Sequence, residues 1–481
     1  MISILVLALV ALIFIFYTIF DRNILSPSVI GTAMFFVSSL FALFYQNKWQ
    51  TTISSHTVFV IITSLLALGA GECLVHLMNF KRNQFIKVNI SAITPIKTSK
   101  ILIAGISVLF ILLLFNYYRE TVKIAKEAGY RGDRLLLQYA RTADLNKFGT
   151  FSKRNFLARQ SSVIVRSAAY VFSYIFLHNA IFFNKKNFSQ LIPVLLFFPF
   201  MLLSTGRTQF IYLIASWIIF GTVFFMQTKA WNPKYTAKIV CFGIIGMLTF
   251  LLLFVISGSF KSSRILENAL DTIAFYAGLS IPSLDLYFEN VPYPPNQIFG
   301  EHTLTGIYSV LRHFSDAIPW LYTPWSDFAT FHNVRGNVYT VIRRYHQDFG
   351  YIGLYMMMFF LGFFYSFLYL KFNRKQKNLG LLLYAMIFAP IVEMSIEERF
   401  FMTVVSSGTV YSFFYGSILF RLIVRYDHKV QRSMLNHMFC YRTRKMTEGG
   451  GDKCITIYLY ALKKQSCKNI VRASAQGRCV A

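Results

Sequence analysis

The chain has 481 residues, of which 55% are hydrophobic, 17% aromatic and only 14% charged. Ordinary soluble proteins carry about 25% charged residues, so this composition excludes a soluble globular protein and defines a polytopic membrane protein. The net charge of +28 sits mainly in loops, where it orients spans, and no RNA- or DNA-binding motif interrupts the apolar framework, so nucleic acid is not an expected partner.

The first apolar run, "MISILVLALVALIFIFYTIFDRN", has no basic leader and no small-residue cleavage site. It reads as a retained span, not a signal peptide. Further windows follow near 28–45, 57–78, 101–118, 162–183, 189–204, 208–227, 237–257, 349–370, 379–396 and 401–424. With the first, they predict an all-α protein of about eleven transmembrane helices, since each window approaches the ~20 residues a span requires. Two long loops interrupt the series, a basic one at 119–161 and a larger one at 258–348. No internal repeat is evident. The six cysteines divide between apolar spans (Cys73, Cys241) and the tail (Cys440, Cys454, Cys467, Cys479), so no disulfide framework is expected.

Short-loop cations set the orientation. Lys81, Arg82, Lys87, Lys97 and Lys100 lie in one connection, Lys185 and Lys186 in the next of the same parity, Lys229 and Lys234 in a third, and Lys371, Arg374, Lys375 and Lys377 in a fourth. All four, and the tail, fall on one side, which is therefore read as cytoplasmic. The N-terminus and both long loops then face outward. The domain reading is a transmembrane domain over 1–427 and a basic cytoplasmic tail over 428–481, expected to be disordered.

The 119–161 loop carries ten Lys and Arg residues, Arg159 among them, on the outer side. Within it, Val122, Ala125, Leu135, Leu136 and Tyr139 recur at helical spacing, which predicts a helix along the interface with a basic face for an anionic ligand. Arg207 is the single charge in the long run 191–226. A cation at mid-bilayer costs roughly 2.5–3.5 kcal/mol, so the run is read as two spans with Ser204-Thr205-Gly206-Arg207 at their outer tip.

Known enzymatic signatures are missing: no Walker loop, no G-x-S-x-G elbow, no HExxH and no D-x-D pair. His302, His313, His332 and His346 match no zinc spacing, and no metal or cofactor is expected. The remaining polar residues of the outer side are Arg166, Asp285, Arg335, Tyr339, Arg343, Arg344, Asp348 and the "EMSIEERFF" group, Glu393, Glu397, Glu398 and Arg399. Each also has a structural reading. Asp348, just before Gly350, is placed to cap a helix. Glu393 and Glu397 share a helical face and can pair with a cation. Collectively, Arg166, Arg207 and the 335–344 arginines converge on one membrane face, and the guanidinium fork suits pyrophosphate oxygens.

At these residues the sequence resembles the bacterial O-antigen, or oligosaccharide repeat-unit, polymerases of Wzy type. "LLSTGRTQFIYL", "FYAGLSIPSLDLYF" and "NVYTVIRRYHQDFGYIGLY" carry the resemblance, which covers about residues 1–425. It implies a glycosyltransferase C-like fold without a required metal, in the bacterial inner membrane. It implies polymerisation of undecaprenyl-pyrophosphate-linked glycan at the periplasmic face, with membrane lipid and a chain-length regulator protein as partners. On that reading Arg207, His332, Asp348 and Glu397 are catalytic. Arg159, Arg166, Asp285, Arg335, Tyr339, Arg343 and Arg344 bind substrate, and Trp320 and Trp325 cover sugar faces. An O-antigen ligase, transferring the glycan to lipid A–core, shares the donor and the arginines. A flippase or transporter instead requires intramembrane charge along a central path, repeats and short loops.

Overall fold

The computed structural model describes residues 1–78, 94–132, 136–145, 154–204, 208–229, 232–259, 269–290, 298–319, 321, 328–332, 334–372 and 378–425. The 428–481 tail, Arg207, Trp320, Trp325 and Leu135 lie outside the described residues. The chain divides into two units, Met1–Phe420 and Arg421–Ala481. In the second, Arg421–Arg425 form a π-helical turn.

The first unit is almost wholly helical. Its helices are α1 (Ile2–Ile19), α2 (Pro27–Trp49), α3 (Ser55–Met78), α4 (Lys100–Glu127), α5 (Leu136–Leu145), α6 (Phe156–Phe183), α7 (Ile192–Leu195), α8 (Phe197–Leu203), α9 (Thr208–Thr228), α10 (Thr236–Ser259), α11 (Ala269–Gly278), α12 (Ser280–Glu289), α13 (Thr305–Leu311), α14 (Val341–Phe372), α15 (Leu379–Met386), α16 (Ala389–Glu393) and α17 (Ser407–Phe420). A two-stranded antiparallel hairpin, β1 (Ala329–Phe331) and β2 (Val334–Gly336), precedes α14. Among the described residues, seven helices are long and apolar enough to cross a membrane, and the 188–203, 236–249 and 379–393 segments are shorter apolar helical stretches. A bilayer offers backbone groups no water, so helices are the form these runs must take.

Local chemistry fixes the helix ends. Ser26 accepts from the Val29 N–H ahead of Pro27 at the first helical position of α2, and Ser99 and Asn155 cap α4 and α6 in the same way. Asn184 closes α6 in the left-handed conformation. Pairing of α3 with α14 rests on glycine. A Cβ on Gly71 would overlap the Phe359 carbonyl oxygen, and one on Gly362 that of Leu68. The two backbones touch because both positions lack side chains, as membrane helix packing favours.

Three expectations change in detail. The 189–204 window is not one regular helix but a 3-10 turn (Phe188–Leu191) followed by α7 and α8; Pro193 and Pro199 each remove a backbone donor from it. The basic loop is not one interfacial helix. Here α4 continues to Glu127, and α5 folds back on it around buried Ile124, Ala125, Ala140 and Ala143. Gly129 and Gly132, at φ +101° and +99°, make the reversal. Finally, helix precedes the expected 349–370 span: α14 starts at Val341 and is broken at Gly350, whose φ of 63° and ψ of −167° lie in a region that only glycine adopts readily.

Contacts sort the helix ends into two groups. One end joins Ser54 to Asp285, Lys48 to Asp271, Arg154 to the Leu203 carbonyl, and Arg166 to Gln209 and Gly408. The opposite end joins Tyr369 to Asn23, Asn179 to Ile96, Gln190 to Thr98, and the Asn378 N–H to Tyr174. The first of these ends holds the candidate site.

Candidate functional site

Among the described residues, six Asp, Glu, Lys or Arg side chains are buried: Glu72, Asp285, Arg343, Arg344, Glu393 and Glu398. All but Glu72 lie at the first end. Ionised side chains are costly to bury unless paired or hydrogen-bonded, so each raises the question of what holds it.

The carboxylates are held by backbone or by guanidinium. Glu398 accepts from the N–H groups of Phe401 (2.8 Å) and Met402 (3.1 Å) and from the Tyr345 hydroxyl (3.2 Å). It thereby shapes the turn into the Phe400–Val404 π-helical segment. Arg399 lies 2.7 Å from Glu397 and 3.8 Å from Glu393, a three-member charge group beside Tyr212, whose hydroxyl meets Thr403 at 3.2 Å. The Val341 N–H bonds the Met394 carbonyl at 2.9 Å. That bond brings the start of α14 against this turn.

Asp348 and Asp285, expected as catalytic and substrate-binding groups, both receive N–H donors. Asp348 accepts from His302 (3.1 and 3.2 Å) and Thr303 (2.6 Å), and Thr303 in turn donates its hydroxyl to the Arg344 carbonyl at 3.1 Å. It ties the 298–304 segment to α14. Asp285 accepts from the Ser54 N–H (3.0 and 3.2 Å) and hydroxyl (2.6 Å), so it anchors the entry to α3.

The arginines are distributed unevenly. The guanidinium carbon of Arg343, 0% exposed, stacks 3.8 Å from the ring centroid of Tyr339 and 5.4 Å from that of Tyr287, which offsets part of its desolvation. Arg344 is buried beside it in sequence. Arg166, on α6, donates to Gln209, the Gly408 carbonyl and Ser412, all neutral acceptors. Arg154 bonds Asp144 (2.6 Å) and the Leu203 carbonyl (3.4 Å). Leu203 and Gln209 stand on either side of 204–207 in sequence. His332 and Arg335 are exposed on the hairpin, where Arg335 lies 4.8 Å over Phe328. Arg159 is exposed in the first turn of α6. These last three are not drawn into the buried group.

One group went unread in the sequence. The Tyr287 hydroxyl meets His346 Nδ1 at 2.9 Å, and the Tyr351 hydroxyl meets His56 Nε2 at 2.9 Å. Phe288 packs against both histidines, with ring centroids 4.9 and 5.2 Å away. Tyr351 is 41% exposed, so this polar-tipped aromatic surface faces outward beside the arginines. Its members come from α3, α12 and either side of Gly350, and no local spacing links them. Glu72 was equally unread, although a lone acid in an apolar run is a legible signal. It accepts from the Ser26 hydroxyl (2.8 Å) and the Ser28 N–H (3.0 Å). Among the described residues, no cluster of three or more His, Cys, Asp or Glu forms a metal-holding group.

Comparison with protein-family models, curated proteins and solved structures yields no match for this chain. The class established by fold and composition is a helical protein of the membrane.

Proposed function

We propose that the chain is a polysaccharide polymerase of the inner membrane, joining undecaprenyl-pyrophosphate-linked oligosaccharide units at its periplasmic face. The observation that carries this reading is the collection of buried and partly buried arginines with carboxylates at one end of the helices. A transporter would need its charges along a central path. Eleven passes fit the helices: the seven long ones, the three shorter apolar stretches and α6. An outer position for the contact group around Arg166, Asp285 and Asp348 is part of this proposal, and the loop charges support it.

The reaction is glycosyl transfer. A sugar hydroxyl of the incoming unit attacks the anomeric carbon of the growing chain. The bond from that carbon to the pyrophosphate oxygen breaks, and polyprenyl pyrophosphate leaves with the electron pair. Arg207, Arg166 and the Arg343–Arg344 pair meet the charge that develops on the leaving oxygen, a role that stabilises the transition state more than the ground state. The hydroxyl proton passes to a base. Of the three acceptors read from the sequence, Glu397 is paired with Arg399 and Asp348 holds N–H groups, whereas His332 is exposed. His332 is assigned that proton. The Tyr287, Phe288 and Tyr351 rings offer faces for sugar.

Deleting the gene tests the reading through the lipopolysaccharide ladder. Loss of every band beyond one repeat on core supports a polymerase. Loss of that single repeat as well, with lipid-linked polymer accumulating, identifies a ligase. Unpolymerised units held on the cytoplasmic face identify a flippase. Complementation with Arg207→Lys is expected to restore membrane insertion but not the ladder.

A further inference from the structure

We propose that a cavity between α6, α7, α8, α9 and α10 holds the isoprenoid tail of the lipid diphosphate substrate, and that Gly221 keeps it open. The inference rests on the polymerase reading for its ligand and on the cavity for everything else. The space measures about 610 Å³, with Leu177, Val194, Phe198, Trp217, Gly221 and Phe242 among the residues that line it. The lining is apolar except for Thr222 and Thr249 and the Trp217 indole N–H. The Thr249 hydroxyl donates to the Ile245 carbonyl (2.8 Å), and the Trp217 N–H to Ser173 (2.7 Å). Water needs two to four polar partners and lacks them here, so hydrocarbon is the filling that suits this space.

Length and charge suit the hydrocarbon. Along α9 the lining runs from Leu213 to Phe225, which at 1.5 Å per residue is ~18 Å, over half of the ~30 Å hydrocarbon core. The lipid diphosphate of the proposed function carries a methyl-branched hydrocarbon chain, and the lining is long enough to take part of it. Phe242 and Ile245 on the α10 wall are 61% and 53% exposed, leaving a side entry from the lipid. At the outer end, Gln209 stands one turn before Leu213 and binds Arg166, and Leu203 binds Arg154. Asp144 offsets Arg154, but the hydrogen-bond partners of Arg166 are neutral. A diphosphate there lies directly above its own tail.

Gly221 is the controlling position. A Cβ built on it meets no atom within 4 Å, so a larger side chain projects into the cavity without moving backbone. Gly105 on α4 is equally open and does not line the cavity, which makes it the control. The test uses the full chain in phospholipid nanodiscs and a benzophenone-tagged polyprenyl diphosphate, with crosslinked peptides mapped by mass spectrometry. Wild type is expected to label on α7 to α10. Gly221→Leu should reduce that label, Gly221→Phe should reduce it about tenfold or more, and Gly105→Phe should leave it unchanged. Each variant is first checked for a monodisperse chromatographic peak, and the wild-type map needs no variant at all. Label elsewhere, undiminished label in both Gly221 variants, or equal labelling of the cavity by a straight-chain acyl phosphate probe overturns the inference. If the deletion phenotype is a polymerase's while any of these occurs, the inference alone falls. If wild type takes up no polyprenyl diphosphate probe, the polymerase reading falls with it.

Discussion

The two ends of the helices solve the same problem with different chemistry. At the end around Asn179, the connections are mostly neutral, as in the amide-to-backbone pair of Asn179 and Ile96; among the described residues Glu72 is the one buried acid there, with Oε2 accepting from a hydroxyl and an N–H and Oε1 3.9 Å from His76 Nε2. At the end around Arg399, buried or half-buried guanidiniums and carboxylates stand within a few ångströms of one another. Neutral hydrogen bonds fasten helices at modest cost. Ions in a dry setting are expensive unless matched, and a protein that only needs fastening has no reason to gather them. The charged end is therefore where binding or catalysis is to be sought.

The comparison can be broken most sharply at Arg399. Arg399→Ala leaves Glu397 and Glu393 without their cation, and is expected to cost about 3–5 kcal/mol, read as a lowered Tm of the detergent-solubilised protein. A wild-type Tm would mean that the charged end is not a matched network. The second expectation is kinetic. If the proposed polymerase function holds, Arg166→Gln lowers polymerisation roughly 10²-fold, as loss of one transition-state donor does, while lowering Tm less than Arg399→Ala; in vitro chain extension per folded molecule measures it.

At the neutral end, Asn179→Ala removes both bonds to Ile96, each 2.8 Å, at about 1–3 kcal/mol. Chain extension per folded molecule should stay unchanged. A matching loss of activity would erase the distinction between the ends. The smallest effect concerns Asp271, a half-buried residue of α11 outside the spans. Its hydrogen bond from Lys48 (2.6 Å) holds its carboxyl below the usual carboxylate range. A depressed value contributes stability above the unfolded pKa of about 3.9 and loses it as pH falls through the lower folded value. Asp271→Asn should therefore flatten the Tm–pH curve slightly below about pH 4 and leave it alone at neutrality.

Arg166 and Arg399 were legible because a charge beside an apolar run must have a reason. Arg343 was legible as a charge, but its place over Tyr339 and Tyr287 required α12 and α14 to meet. Asp285 and Asp348 were read as site carboxylates because sequence shows a carboxylate and not its donors; both receive backbone N–H groups from residues 45 or more positions away in sequence. The His56, His346, Tyr287 and Tyr351 group had no sequence signal, since its members come from three helices.

What the sequence alone determined is the membrane class and the approximate positions of the apolar helices. Each follows from a local quantity, span length, that a bilayer enforces one segment at a time. Tertiary structure decided which charges neutralise one another, where α4 and α5 fold back, and that Gly221 faces open space. Those depend on which helix faces meet, and apolar faces that differ little in hydrophobicity do not record their neighbours in their own sequence.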